Sequence, residues 1–302
     1  MPKTIVITGC STGFGLLAAL RFAREKNCVY ATMRGVDGKN TEAAGALLSA
    51  AEVEGLDLRV LEMDVTSEAS VQTAAETVVA ESGAPDVVIN NAGQMFVGLT
   101  EAFTPEELAR QLDVNVVGVH RVSRAFLPAM RAQKDGLIIN VSSIAGRIAS
   151  PFFGVYNASK WALEGYSLGF RTELASCGVD VVIVEPGPFA TELFPRSPSP
   201  SDKEDRAASY PAELHAANEA MGLAFGEMFE GEDVNTDPQQ VVDCFAELVE
   251  MAPGTRPFRS LVGFDFGVVG PQNEAAEPLH AQLLEAMGMS EVATLRPKNP
   301  TS

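Results

Sequence analysis

A tyrosine and a lysine four residues apart form the most chemically suggestive pair in the sequence. Both belong to the segment Tyr156-Asn157-Ala158-Ser159-Lys160, in a stretch with helical periodicity. On a helix this spacing places the phenol and the ammonium on one face, one turn apart. A phenol with an ordinary pKa of about 10 is a poor base at neutral pH, and a neighbouring cation favours the phenolate. The pair therefore indicates acid–base chemistry, although the same spacing also occurs in plain surface pairs.

A glycine-rich turn follows the first apolar run of the chain. The strand-like residues 4–8 lead into a turn with the pattern G-x-x-x-G-x-G at 9–15, and then into an amphipathic helix. Glycines at such a turn let the backbone approach a pyrophosphate, and the helix N-terminus offers free N–H groups and a positive dipole end. The turn therefore predicts a dinucleotide site, with tight packing alone as the alternative.

The same turn also matches the G-x-S-x-G nucleophile elbow of a hydrolase, through Gly9, Ser11 and Gly13. An elbow of that kind lies at the top of a sheet that is already built, whereas only one strand precedes this turn. A hydrolase is therefore the weaker interpretation of these residues.

Five motifs occur in an order that is highly specific. They are T-G-x-x-x-G-x-G at 8–15, N-N-A-G at 90–93, N-V-V-G at 115–118, a serine thirteen residues before Y-x-x-x-K, and P-G-x-x-x-T at 186–191. On these motifs the chain resembles the short-chain dehydrogenase/reductase family over roughly residues 3–194, and segments 30–34 and 185–188 resemble its steroid- and retinoid-type members. The resemblance implies a Rossmann-type fold, a bound nicotinamide dinucleotide, and hydride transfer between that cofactor and a carbonyl or alcohol.

The resemblance also implies four catalytic residues, which are Asn115, Ser143, Tyr156 and Lys160. Tyr156 would protonate the carbonyl oxygen, or accept the alcohol proton in the reverse direction, and Ser143 would hydrogen-bond the same oxygen. Lys160 would bind the nicotinamide ribose and, together with the positively charged oxidised nicotinamide, lower the pKa of Tyr156. Asn115 would hold a water that connects Lys160 to solvent; the alternative is an amide that only satisfies backbone groups.

The cofactor contacts that the resemblance implies follow successive strands, because ligands gather at the carboxyl ends of a parallel sheet. Arg34 follows the second strand, where no acidic residue stands to pair with the ribose 2′-hydroxyl of NAD, and its guanidinium can reach the 2′-phosphate of NADP. NADP is therefore the expected cofactor and NAD the less favoured one. Two residues, Thr12 and the acidic Asp37, favour NAD instead. The expected contacts are Gly9, Ser11, Thr12, Gly13, Phe14, Gly15, Arg34, Asp64, Val65, Asn91, Ala92, Gly93, Tyr156, Lys160, Pro186, Gly187, Phe189 and Thr191.

Apolar residues surround the expected reacting carbonyl and favour a neutral, lipophilic ketone, aldehyde or alcohol as substrate. The resemblance places four of them at the substrate: Met95, Phe152, Phe153 and Phe194. A second apolar set has helical spacing, and it is either an ordinary helix that buries one face or a lid over the substrate. That set is Met221, Leu223, Phe225, Met228 and Phe229. Residues 202–233 hold nine acidic and two basic side chains, whose field opposes an anionic substrate.

Short β-branched runs alternate with helix-period stretches along the chain. Strands are expected at 4–8, 29–33, 58–63, 87–90, 137–141, 179–185 and 260–264, and helices at 15–25, 42–51, 68–81, 105–133, 155–176 and 238–251. This alternation predicts an α/β fold with a single doubly wound, Rossmann-type parallel sheet of about seven strands and helices on both faces. Residues 1–302 would form one domain, with 192–235 as a substrate-side insertion or lid and 236–302 as a C-terminal helix, strand and tail.

The composition of the chain makes several kinds of partner and ligand unexpected. A net charge of −18 repels phosphate backbones and anionic lipid surfaces, so nucleic acid is not an expected partner. The four cysteines and three histidines show neither zinc-ligand spacing nor a disulfide framework, so no metal is expected. Without a signal-peptide pattern or a long apolar window, we expect no membrane span and a cytoplasmic protein.

These features together predict an NADP-dependent oxidoreductase of the carbonyl reductase or alcohol dehydrogenase type. Its partner would be a small-molecule substrate, and assembly into a homo-oligomer, dimer or tetramer, is left open. The alternative is a dinucleotide-binding sensor or regulator on the same fold without turnover, because fold alone does not determine function.

Overall fold

All strands run parallel in one sheet in the computed structural model, which describes residues 2–296. They are β1 (Thr4–Thr8), β2 (Cys28–Met33), β3 (Leu58–Glu62), β4 (Val87–Asn90), β5 (Gly136–Val141), β6 (Val179–Pro186) and β7 (Arg259–Val262). Their spatial order is β3-β2-β1-β4-β5-β6-β7. The order reverses at β1, which pairs with β2 and β4, and such a reversal leaves a crevice for ligands at the carboxyl ends. The predicted α/β fold with about seven parallel strands is confirmed.

Both faces of the sheet are buried, as β-branched strands without polar alternation require. Ile5 and Ile7 of β1 pack on one side, against helices α1 (Gly13–Arg24) and α2 (Thr41–Glu54) and the later helix α8 (Gln239–Glu250). Val6 packs on the other side, against α3 (Glu68–Ser82), α5 (Gly118–Gln133) and α6 (Gly154–Ala175). The two apolar layers hold the strands rigidly, so the turns at their carboxyl ends have fixed positions.

The long helix predicted at 105–133 is divided in the structure. Helix α4 (Pro105–Leu112) begins at a capping box, in which Thr104 Oγ1 accepts from Glu107 N and the Glu107 carboxylate accepts from Thr104 N. A π-helical turn (Asp113–Val117) then leads into α5. The apolar pattern cannot reveal this wider turn, because the backbone remains right-handed and helical throughout.

Besides α8, the described part of the C-terminal third contains two α-helices, and the sequence analysis noted helical spacing in only part of one of them, at 221–229. Helix α7 (Ala212–Glu230) occupies much of segment 192–235, and α8 begins at Gln239, one residue later than predicted. Helix α9 (Val269–Ala286) lies in the stretch predicted as a tail, where two prolines interrupt the helical pattern. None of the described helices is long and apolar enough to cross a membrane. The last part of the predicted tail, 297–302, lies outside the described residues.

Candidate active site

A cavity of about 1070 Å³ opens at the carboxyl ends of the strands, lined by the turns that follow β1 to β6. Every predicted site residue lines it except Gly15 and Asn115. Those that do are Gly9, Ser11, Thr12, Gly13, Phe14, Arg34, Asp64, Val65, Asn91, Ala92, Gly93, Met95, Ser143, Phe152, Phe153, Tyr156, Lys160, Pro186, Gly187, Phe189, Thr191 and Phe194. The topology therefore brings together residues that are far apart in the sequence.

The glycine turn after β1 forms a cradle that fits an anionic group. Gly9 and Gly13 adopt φ of +74° and +58°, and a Cβ on Gly9 would lie 2.8 Å from Ala92 Cα. Gly15 does not reach the cavity; a Cβ there would lie 2.5 Å from Gly9 O, so Gly15 serves the packing of α1 on the turn. Thr12 does not cap α1 with its side chain, and the first helical turn has no acidic residue. The helix therefore presents free N–H groups and a positive dipole end, which suit a pyrophosphate.

Thr8, which the sequence analysis did not single out, joins this turn to the one after β4. Its Oγ1 accepts from Asn91 N at 3.0 Å and from Ala92 N at 2.9 Å. Asn91 Nδ2 in turn donates to Thr8 O at 2.8 Å and to Gly9 O at 3.2 Å. These bonds hold the two turns side by side, and the threonine that opens the T-G motif was the available signal for this role.

Three of the predicted catalytic side chains meet at the middle of the cavity. Ser143 follows β5, where its Oγ accepts from Ala145 N at 3.1 Å and donates to Pro186 O at 3.4 Å. Lys160 lies one turn further along α6, with Nζ 5.7 Å from the centroid of the Tyr156 ring. Its ammonium donates to Val141 O at 2.8 Å. Tyr156 and Lys160 are both buried, so their protonation depends strongly on their neighbours.

Burial is the main influence on the pKa values of Tyr156 and Lys160. It raises the pKa of Tyr156 to about 12, and the nearby Ser143 hydroxyl offsets only part of this rise. Burial also lowers the pKa of Lys160 to about 8, and the neighbouring Glu164 offsets part of this lowering. The expected lowering of the Tyr156 pKa is thus outweighed, because the phenol packs among apolar side chains while the ammonium is directed to Val141 O. At neutral pH Tyr156 is a phenol, the form that donates a proton.

Asn115 lies behind the cavity rather than on its wall. Its Oδ1 accepts from Gln94 N at 2.9 Å, and its Nδ2 donates to Gln94 O at 2.9 Å and to Ser159 Oγ at 3.0 Å. The side-chain amide thus satisfies backbone and hydroxyl groups, which is the alternative that the sequence left open. It fixes the segment after β4 against α6, beside Lys160, and its role toward a water stays a prediction.

Two cations line the cavity where β2 ends. Arg34 is exposed there, and Lys39, which the sequence analysis missed, joins it because the loop turns back at Gly35 with φ of +63°. Asn40 N donates to Gly35 O at 3.0 Å and closes this turn. Burial and the neighbouring Arg34 lower the pKa of Lys39. Asp37, which argued for NAD, is exposed and does not line the cavity.

Apolar side chains close the opposite end of the cavity. Met95, Phe153 and Tyr156 form a buried cluster, and Phe194 and Phe225 pack against it. The Phe225 ring lies 6.1 Å from that of Phe153 and 5.1 Å from that of Phe194, between centroids. Phe225 belongs to α7, so this helix covers the apolar end of the cavity.

One residue of the apolar set expected on this helix lies elsewhere. Met221, Phe225, Met228 and Phe229 line the cavity, but Leu223 is 70% exposed and does not. Its position on the helix places it on the far side from the other four. The helical spacing was therefore right, but one of the five residues was assigned to the wrong face.

The chain is similar in sequence to a known protein family and to several characterised proteins. A family model described as short chain dehydrogenase matches residues 3–201. A 3-ketodihydrosphingosine reductase from Bacteroides thetaiotaomicron is 36% identical over 235 residues, which cover 72% of this chain and 82% of that protein. Retinol dehydrogenase 8 from Homo sapiens is 33% identical over 259 residues, which cover 85% of this chain and 79% of that protein.

Solved structures of the same fold include nicotinamide dinucleotide complexes. A short-chain dehydrogenase from Streptomyces avermitilis has a TM-score of 0.74 and 29% identity, over 95% of this chain and 98% of that chain. A gluconate 5-dehydrogenase from Burkholderia cenocepacia, in complex with NADP and tartrate, has a TM-score of 0.58 and 30% identity, over 63% and 73% of the two chains. A short-chain dehydrogenase/reductase from Burkholderia phymatum, in complex with NAD, has a TM-score of 0.71 and 22% identity, over 100% and 98%.

Proposed function

Since the chain belongs to the short-chain dehydrogenase family and is related to its steroid- and retinoid-type members, we propose that it is an NADP-dependent oxidoreductase of neutral, lipophilic carbonyl compounds and their alcohols. The observation that carries this proposal is the meeting of Ser143, Tyr156 and Lys160 at the boundary between the glycine-lined and the apolar parts of one cavity. A substrate carbonyl at that boundary would face all three side chains.

The proposed reaction assigns one task to each side chain. The bound dinucleotide supplies or accepts a hydride at its nicotinamide ring. Ser143 hydrogen-bonds the substrate oxygen, and Tyr156 donates its phenolic proton to that oxygen as it gains charge. Lys160 binds the ribose hydroxyls and stabilises the phenolate that remains. Because Tyr156 is protonated at neutral pH, the chain is poised to act as the acid in carbonyl reduction.

The two alternatives fit the cavity less well. A hydrolase built on Ser11 needs a base beside it, but His120, His215 and His280 all lie outside the cavity lining. A dinucleotide-binding sensor has no need of an apolar chamber next to Ser143 and Tyr156. A reductase uses both the apolar chamber, which would hold the substrate, and the side chains Ser143 and Tyr156 next to it.

The charges around the end of β2 support NADP over NAD. Arg34 and Lys39 offer two cations to a 2′-phosphate. The nearest carboxylates are engaged elsewhere: Glu62 accepts from Gly35 N at 2.8 Å, and Asp64 accepts from Thr66 N at 2.9 Å. A ribose 2′-hydroxyl would therefore lack the free acidic partner that NAD enzymes of this fold provide.

Arg34→Ala is expected to weaken NADP binding about tenfold, while NAD binding changes little. A hydrogen bond to a charged group is worth about 1.5–3 kcal/mol, and the solvent exposure of Arg34 reduces this. Titration of both cofactors at two salt concentrations checks the result, and NADP affinity should fall more steeply with salt. Arg24→Ala, which removes an exposed arginine paired with Glu54, is the matched control. Equal losses for NADP and NAD in Arg34→Ala would remove the basis for the NADP assignment.

Phe225→Ala is expected to raise KM for a lipophilic ketone about tenfold, with little change in NADP affinity. The change removes apolar surface that would contact the substrate, worth about 1–2 kcal/mol, and the rings of Phe153 and Phe194, which position Phe225, would remain. Leu223→Ala on the same helix is the control, because that side chain is solvent-exposed. An equal effect of the two substitutions on KM would mean that α7 does not contact the substrate.

A substrate screen tests the function as a whole. Neutral lipophilic ketones, aldehydes and alcohols are incubated with NADPH, NADH, NADP or NAD, and the absorbance of the reduced nicotinamide is followed. We expect turnover with NADP(H) and at least one compound of this class. Tight cofactor binding without turnover of any compound would favour the sensor instead.

A further inference from the structure

A buried charged cluster lies behind Lys160. We call it the acid cluster, formed by Glu164 of α6, Glu185 of β6, Arg259 of β7, Asn273 of α9 and Arg147. Arg259 Nε lies 2.9 Å from a Glu164 oxygen and 3.4 Å from a Glu185 oxygen. Asn273 Nδ2 donates to Glu185, and Arg147 Nε donates to Asn273 Oδ1 at 2.8 Å. The cluster thus joins the helix of Lys160 to the last strand and the last helix.

The two carboxyl groups of the acid cluster are unequal. Burial and the neighbouring Glu164 raise the pKa of Glu185 well above its usual range. Glu185 therefore holds a proton at neutral pH, and Arg259 makes its shorter contact with Glu164. Among residues 2–296, Glu164 Oε1 and Glu185 Oε1 are both buried without a hydrogen-bond partner. A buried carboxyl group with an unsatisfied oxygen is costly, so the presence of two in one cluster calls for an explanation.

Glu164 lies one helical turn beyond Lys160, under the turn that carries Ser143. A Cβ on Gly146 would lie 2.9 Å from Glu164 Cγ and 3.2 Å from Lys160 O. The carboxylate is thus packed between the catalytic helix and the catalytic turn, where its field acts through a medium of low dielectric constant. The ionisable groups that act on Lys160 directly are both on α6: Glu164, and Tyr156, whose ring centroid lies 5.7 Å from Lys160 Nζ. Glu185 on β6, Arg259 on β7 and Arg147 after β5 belong to the acid cluster that holds Glu164.

We propose that Glu164 is a positioning residue of the reaction, whose buried carboxylate, anchored by Arg259, keeps Lys160 in its charged form. The inference rests on the proposed function, in which the ammonium binds the ribose and stabilises the Tyr156 phenolate. Burial alone drives Lys160 toward the neutral amine, which would bind the ribose hydroxyls more weakly and could not stabilise the phenolate. Of the two acids in the cluster, only Glu164 is adjacent to Lys160 on its helix, so only its charge should matter.

Glu164→Gln is expected to lower the titration midpoint of Lys160 from about 8 by about one pH unit, because a buried negative charge is removed. The side-chain carbon signals of labelled lysine report this midpoint directly, since Lys160 is one of seven lysines and is identified by its loss in Lys160→Met. In turnover measurements with NADPH, the alkaline limb of the pH profile should move down by the same amount, because the charged form is lost at lower pH.

Glu185→Gln is the matched control. It imitates the protonated carboxyl in the same cluster, so it should leave both the Lys160 midpoint and the pH profile within a few tenths of a unit of wild type. Glu164→Asp keeps the charge and should restore most of the midpoint. If Glu164 had only a structural role, substituting it would lower the stability of the protein. The Lys160 midpoints of Glu164→Gln, Glu164→Asp and Glu185→Gln would then not differ.

A Lys160 midpoint in Glu164→Gln within a few tenths of wild type would overturn the inference. If that variant does not fold, Glu164→Gln combined with Arg259→Met removes the ion pair as a unit, a change that proteins often tolerate. Its Lys160 midpoint is then compared with that of Arg259→Met alone, and a lower midpoint in the double variant isolates the Glu164 charge. A wild-type protein without turnover would refute the proposed function instead, and the lysine titration would still decide the inference.

Discussion

Tyr156→Phe is expected to reduce turnover by about 10²–10⁴-fold, the usual contribution of general acid–base catalysis, while NADP affinity stays within a few-fold of wild type. Phenylalanine keeps the packing of the ring against Met95 and Phe153 but lacks the proton that the substrate oxygen must receive. Lys160 and the glycine turn remain, so the cofactor should still bind. Steady-state turnover and cofactor titration on the same preparation check both halves of the expectation.

Tyr166→Phe is the matched control for this change. Tyr166 lies on the same helix, outside the cavity, and its hydroxyl lies 3.2 Å from His120 Nδ1. Its loss should leave kcat near the wild-type value. Near-full activity of Tyr156→Phe with a good substrate would contradict the proposed chemistry.

Lys160→Met is expected to lower both NADP affinity and turnover, each by about tenfold or more, because one ammonium is proposed to serve both tasks. Methionine retains most of the apolar stem, so the fold should survive. In wild type, cofactor affinity should also weaken as the pH rises through about 8, where the buried ammonium loses its proton. Lys160→Met should lack this pH dependence, which cofactor titration between pH 6 and about 9 would reveal.

Lys203→Met removes an exposed lysine and serves as the control for that measurement. It should leave both NADP affinity and its pH dependence unchanged. An unaltered NADP affinity in Lys160→Met would remove the ribose contact from the account, whatever happens to the rate.

Local patterns were sufficient to predict much of the candidate site. The spacing of Tyr156 and Lys160 on one helix requires only the helical repeat, and the glycine turn follows directly from a strand and a helix that meet. The family motifs then brought in Ser143 and Pro186, which lie far from the glycine turn in sequence but line the same cavity. Each of these features is encoded within a few consecutive residues.

Features that depend on tertiary structure escaped the sequence analysis. Lys39 reaches the cavity only because a loop turns back at Gly35. Glu164 and Arg259 are 95 residues apart in sequence yet form a buried ion pair. The direction of the Tyr156 pKa shift depends on how fully the fold buries the phenol, which spacing does not reveal.

The most direct test of the account is to follow the hydride itself. NADPH that carries deuterium at the transferable position of its nicotinamide ring is incubated with the protein and a neutral lipophilic ketone from the screen, and the alcohol product is analysed by mass spectrometry. The account predicts one deuterium on the carbinol carbon with wild type and at least about a hundredfold less labelled product with Tyr156→Phe in the same time. Alcohol without deuterium, or labelled alcohol formed equally fast by Tyr156→Phe, would contradict it.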